Sequence, residues 1–183
     1  MSYRFHLAKT IEAAGILLRE APGARMTRIR LLKLLYIADR ECVRQTGRPI
    51  TGDRVCAMEH GPVLSTVYDC LKGSCGALPT WERFFASDGT EIHMKEAPDV
   101  GELSRYEIET LQEVSRQRAN VDEWQIVEET HNFPEWRDNN PGKSSKPIAF
   151  EAILAAVGRG PQAENILREA EASADLARLL EGP

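Results

Sequence analysis

The 183-residue chain has no Cys-x-x-Cys pair, no Gly-x-Ser-x-Gly or His-Glu-x-x-His motif, no apolar run of membrane-spanning length and no excess of positive charge. Each absence removes a class of function. Four scattered cysteines (Cys42, Cys56, Cys70, Cys75) and four scattered histidines (His6, His60, His93, His131) lack the clustering a zinc site needs. Cys70 and Cys75 are the only close pair, across Gly73-Ser74, and three of the four cysteines fall at positions read as buried helix or strand, so reduced thiols are expected. Without a nucleophile elbow or a zincin helix, hydrolytic chemistry has no anchor, and no enzyme activity or cofactor is expected. The apolar stretch at residues 29–38 is far short of the roughly 20 residues that cross a bilayer. Lys and Arg number 23 against 28 Asp and Glu, a net charge of −5 with a pI near 5.5. That balance opposes a nucleic-acid partner, whose affinity rests on cations neutralising phosphates. The opening Met-Ser-Tyr-Arg-Phe-His leads into an amphipathic segment with no apolar h-region or cleavage site, so the expected compartment is the cytoplasm, with no membrane association.

What is present is concentrated in residues 29–68. Thr27 is placed to cap a helix, with Met26 and Leu31 positioned as a hydrophobic staple. From Ile29 to Ala38 only Arg30 and Lys33 interrupt the apolar residues, and a helix apolar nearly all round lies centrally in its domain. Asp39 follows Leu35 and Tyr36 by one turn and points to the same packed side. A carboxylate there needs donors. It serves either as a general base or partner-binding group, or as an acceptor tying down a nearby loop, and the second reading is preferred. Gly47, Pro49, Gly52 and Asp53 are turn residues. Arg54–Glu59 reads as a short strand, ended by His60-Gly61-Pro62, with a two-turn helix following through Val67, Tyr68 and Leu71 to Gly73. His60 is read as bonding the loop backbone in preference to acting as a ligand or pH-active group.

The remainder reads as helices around one hairpin. Residues 4–20 form an amphipathic helix; Trp81–Ser87 and Thr90–Lys95 alternate around an Asp88-Gly89 turn. Ser104 and Glu107 make a capping box for a helix carrying Ile108, Leu111 and Val114. A further helix near Asn120, with Glu123 as its box partner, carries Val121, Trp124 and Val127. Residues 137–147 form an exposed loop, Ile148–Val157 a short helix, and Pro161–Glu181 a helix with a shallow stripe of Ile166, Ala170, Ala174 and Ala177. That last helix suits peripheral docking and partner contact equally. Gly142-Lys143-Ser144 is not a phosphate loop, because Arg137 stands where the P-loop needs glycine and no strand precedes it. Glu128 and His131 are spaced to share a helix face, but surface charge and a histidine at a helix C-terminus explain them without catalysis.

Together, Lys33-Leu34-Leu35-Tyr36-Ile37-Ala38-Asp39, Gly47-Arg48-Pro49-Ile50-Thr51-Gly52-Asp53 and His60-Gly61-Pro62-Val63 followed by Val67-Tyr68 resemble the Panacea domain, a bacterial antitoxin family that includes SocA-like and phage-associated GepA-like proteins. The similarity continues more faintly through Trp81, Phe85, Leu103, Trp124, His131 and Pro147-Ile148. The positions that carry it are Lys33, Tyr36, Asp39, Gly52, Asp53, His60, Gly61, Pro62 and Tyr68. The resemblance implies a protein that neutralises a cognate protein toxin, by direct binding or by delivery to an ATP-dependent protease. The family's toxins are diverse, so the toxin's identity does not carry over.

The expected architecture is a mainly α, single compact domain with a small antiparallel β-hairpin, winged-helix-like in outline: residues 1–158 form the Panacea-like domain and 159–183 a peripheral helix. Promoter binding is a further alternative, disfavoured because the helix at 64–72, which would be the recognition helix, has one basic and one acidic residue. Segments around 25–54 are basic and 102–135 acidic, which would steer a complementary protein if either face is free. Interfaces favour aromatic and Arg anchors, so Arg44, Arg48, Tyr68, Trp81 and Trp136 are the expected partner contacts, with Tyr36 and Trp124 in the core.

Overall fold

A computed structural model describes residues 3–140 and 142–181, with side chains to residue 175. In order, the elements are α1 (Leu7–Arg19), β1 (Arg25–Thr27), α2 (Arg28–Thr46), β2 (Val55–Met58), β3 (Gly61–Leu64), α3 (Ser65–Leu71), α4 (Leu78–Phe84), β4 (Phe85–Asp88), β5 (Glu91–Met94), α5 (Arg105–Gln117), α6 (Glu123–His131), α7 (Pro134–Arg137), β6 (Lys146–Ile148), α8 (Phe150–Ala156) and α9 (Ala163–Glu181). The architecture is mainly helical, with two small antiparallel sheets of order β1-β5-β4 and β3-β2-β6.

The central helix is α2. Thr27 caps it by accepting from the Arg30 N–H, and Leu31, Leu34, Leu35 and Ala38 are almost fully buried. Because it is apolar on most of its circumference, it is covered on several sides, chiefly by α1, α5, α6 and β3. Helix α5 begins at the expected Ser104–Glu107 capping box and buries Leu111 and Val114. The hairpin around Asp88-Gly89 forms as expected, with Ile92 in the core.

Several elements differ from the sequence expectations. Gly61–Leu64 is a strand and does not open a helix; Pro62 pairs with Ala57 in β3, an edge strand, where a missing donor is tolerated. Residues 146 and 147 of the expected loop, with Ile148, expected to open the next helix, form the other edge of that sheet, Cys56 facing Pro147, and α8 starts only at Phe150. Leu78–Phe84 is helical where a strand was expected from Trp81, so β4 starts only at Phe85 and α4 intervenes between α3 and the hairpin. Strand β1 adds to the hairpin's outer side through Met26 opposite Ile92. The cap of α6 is Asp122 with Gln125, two residues beyond the expected Asn120. Cys70 and Cys75 are disulfide-bonded and not reduced: the turn at Gly73, φ 75°, brings their Cα atoms to 4.7 Å. Cys42 and Cys56 are free.

Helix α9 lies beside the C-terminus of α2, with Ile166 against Gly47 and Ala170 buried; Ala177 of its expected stripe lies outside the described side chains. Arg159, just before it, donates to the carbonyls of Arg44 (2.9 Å) and Gln45, satisfying groups left open at the end of α2. Among the described residues no helix is long and apolar enough to cross a membrane.

Gly52 has a positive φ of 64°, and a Cβ there would lie 2.2 Å from the Arg4 carbonyl oxygen. Gly89 has φ 58° but open space around it. Gly52→Ala is therefore expected to lower stability by about 2 kcal/mol or more, and Gly89→Ala by only about 1 kcal/mol. Urea denaturation midpoints of the two variants check the difference.

Candidate functional site

The residues between α2 and α3 are fixed by two carboxylates. Asp39, 5% exposed, accepts from the backbone N–H groups of Ile50 (2.9 Å) and Thr51 (3.0 Å) through one oxygen, and from the Thr51 hydroxyl through the other. Burial pushes its carboxyl up to about 7, while these donors pull it back. Both oxygens are engaged by the loop, so the geometry matches the structural acceptor and not a general base. Asp53 then accepts from the N–H groups of Arg54, Thr66 and Val67 and from the Thr66 hydroxyl, at 2.7–3.1 Å. It thereby caps α3 from outside that helix, whose own N-cap, Leu64, offers no side-chain acceptor. Gly52 sits between the two carboxylates with its backbone against Arg4.

The β2–β3 hairpin is held by a second group of contacts. Lys33 in α2 is 1% exposed, and its ammonium donates to the Pro62 carbonyl at 2.9 Å. Gly61, φ 96°, allows this approach: a Cβ would lie 2.5 Å from Thr130 Oγ1 and 2.9 Å from Lys33 Nζ. Trp136 donates from Nε1 to the Met58 carbonyl at 2.9 Å, and its ring stacks on His131 at 4.1 Å between centroids. One turn after Lys33, the Tyr36 hydroxyl donates to Glu135 at 2.8 Å. Arg40 pairs with the same carboxylate at 2.6 Å and lies over the Phe133 ring. Glu135 is 2% exposed, and in the sequence it was only one of many acidic residues. Its Pro-Glu-Trp setting in a polar stretch gives no sign of burial.

Between α2, the hairpin, α3 and the first turn of α6 lies an open groove of about 640 Å³, lined mainly by apolar surface. Lys33 reaches its lining from below, Leu32 and Met58 form walls, and His60, Tyr68 and Trp124 stand around it. Trp124 is 53% exposed, and its ring meets His60 edge-on at 5.4 Å. The Lys72 ammonium sits over the Tyr68 ring, 5.1 Å from its centre. No backbone hydrogen bond from His60 is present among the described residues; its contact is with Trp124.

The expected partner contacts are thus redistributed. Trp81 (2% exposed) packs on Phe85 and Trp136 (6%) on His131, so neither is a surface anchor. Trp81 is buried because its segment is helix α4 and not an outer strand. Trp124, expected in the core, is the exposed one, since Ile126, Val127 and Thr130 form the buried face of α6. Tyr36 is buried as expected. Arg44 pairs with Glu41 and Arg48 with Glu169, away from the groove. Tyr68 alone of the five lines it. No group of three or more His, Cys, Asp or Glu side chains among the described residues is placed to hold a metal.

Fold and site define a mainly helical scaffold in which buried polar pairs hold a hairpin beside an apolar groove. The chain belongs to the antitoxin SocA-like, Panacea domain family, whose model matches residues 31–137. A search of the curated proteins and of the solved structures found no match. The matched stretch holds the main motif positions, from Lys33 to Tyr68, and both groups of fixing contacts through Glu135 and Trp136, while Pro147-Ile148 of the fainter similarity lies beyond it.

Burial lowers the Lys33 ammonium from its ordinary 10.5 to about 7. Between those values the unfolded chain holds a proton that the folded chain has released, so Lys33 makes stability rise with pH from about 7 towards 10 and contributes no slope below that window. Lys33→Met is expected to remove this rise. Chemical denaturation of both proteins at pH 7, 8.5 and 9.5 checks it; parallel curves would refute the assignment.

Proposed function

We propose that this chain is the antitoxin of a toxin–antitoxin pair and neutralises a cognate protein toxin by direct binding, with no chemistry performed by its own side chains. The observation that carries the reading is the aromatic-rimmed apolar groove, with Trp124 exposed, on a member of an antitoxin-like family. Large aromatic side chains beside a concave apolar surface are what protein interfaces use as anchors. The polar groups that would be candidates for catalysis are committed elsewhere: Asp39 and Asp53 to backbone donors, Glu135 to Tyr36 and Arg40. Positioning of the hairpin by the Lys33–Pro62 and Trp136–Met58 bonds favours capture of a partner by a preformed surface.

The test is co-expression with the product of each adjacent reading frame in a bacterial host. One of them should arrest growth, the chain should relieve the arrest, and the two proteins should co-purify as a stoichiometric complex. Relief is expected to persist in hosts lacking individual ATP-dependent proteases. If relief disappears with one protease and toxin lifetime shortens only when that protease and this chain are both present, the chain is a proteolytic adaptor and masking is wrong. A mobility shift on its upstream DNA by the chain alone would support promoter binding instead.

A further inference from the structure

The groove differs in charge from the rest of the chain. The whole sequence carries −5, yet the charged side chains lining the groove are Arg28, Lys33, Lys72 and Lys143 against Glu59 and Glu123. Counted without the buried Lys33, cations still exceed carboxylates there. None of the four forms an ion pair among the described residues. Arg28 donates to the Leu71 carbonyl at 3.0 Å, Lys72 rests on the Tyr68 ring, and Lys33 donates to the Pro62 carbonyl. These partners are dipoles and a π-face, which orient the cations without cancelling their charge. Apolar walls at Leu32 and Met58, edged by cations that outnumber the carboxylates, complement a segment bearing both apolar side chains and carboxylates.

We propose that the groove is the toxin-binding face and that it takes an acidic, apolar segment of the toxin, apolar side chains packing against Trp124 and Tyr68 and carboxylates meeting Lys72 and Lys143. This rests on the antitoxin reading above. The same arrangement disfavours a basic segment, which would place like charges against Arg28, Lys72 and Lys143 with only Glu59 and Glu123 to offset them. The excess of cations would also speed encounter with an acidic partner, and added salt would weaken that effect.

The probe is the toxin identified by growth relief, used as purified protein and as overlapping peptides of about 15 residues spanning its sequence. Trp124→Ala and the double variant Lys72→Glu/Lys143→Glu should each weaken binding about tenfold or more and lose growth relief. Both change the surface and leave the buried Lys33 in place, so circular dichroism and melting should stay near wild type. A control reversal outside the groove, Arg105→Glu/Arg116→Glu on α5, should leave binding unchanged. Peptides retained by the chain should be net acidic and contain apolar residues. Retention of basic peptides, retention of none, or full binding by both groove variants would overturn the assignment of this face while leaving the antitoxin reading standing. If the wild-type chain itself neither binds nor relieves any neighbouring gene product, the antitoxin reading falls, and this inference with it.

Discussion

Asp39 places a carboxylate in the interior of the domain, and its oxygens are satisfied only because the chain comes back past α2 with the N–H groups of Ile50 and Thr51 and the Thr51 hydroxyl turned inward. A buried carboxylate left without those donors would cost several kcal/mol, so loop and helix stabilise each other's position. Everything C-terminal to the loop inherits that placement. Thr51 Oγ1 also accepts from the Asp53 N–H at 3.1 Å, and Asp53 caps α3. A single polar relay thus runs from the central helix through a turn to the start of the next helix. Gly52 is needed within it because the backbone passes too close to Arg4 for a side chain.

The second consequence concerns the hairpin. With β2 leaving Asp53 in a fixed direction, β3 returns along α2, where Lys33 binds the Pro62 carbonyl. Lys33 is poorly suited to burial, and its depressed pKa reflects that cost. It is retained at a point where the Gly61-Pro62 backbone presents a carbonyl and lacks room for anything bulky. The other strand of the hairpin is held near the same turn by the Trp136 indole at Met58. Two bonds of different chemistry, one from α2 and one from α7, therefore set the groove's outer wall.

How much of this was readable in the sequence depended on the range of the interaction. Thr27, Ser104 and Glu107 act within one helical turn, and each cap stands where local pattern puts it. The burial side of Asp39 followed from its spacing after Leu35 and Tyr36, and the need for nearby donors followed from electrostatics. Other features depend on partners far along the chain. Pro62 looks like a helix start until β2 supplies a strand to pair with, and Pro147 looks like loop until the same strand's other edge is free. Glu135 reads as surface acid because Tyr36 and Arg40 lie 99 and 95 residues away. Trp124 misled in the opposite direction: α6 turns Ile126, Val127 and Thr130 to the core, which leaves Trp124 in its first turn at the groove rim. Family resemblance drew attention to Lys33, Asp39 and Gly61 without distinguishing positions that hold shape from those that also face the groove.

That distinction bears on how such a scaffold can serve different partners. Asp39, Asp53 and Tyr36 are held by buried bonds and Gly61 by close packing on Lys33 and Thr130, and changing them disturbs the fold. Trp124, Lys72 and Lys143 stand on the groove's edge without buried hydrogen bonds, so their replacement alters the surface at little structural cost. Lys33 belongs to both sets, since it anchors the hairpin and reaches the groove. A rigid frame with a separately variable rim would let one architecture meet unlike proteins by exchanging a few side chains, because specificity then lies in attraction and repulsion at the rim while the preformed groove supplies the common apolar contact.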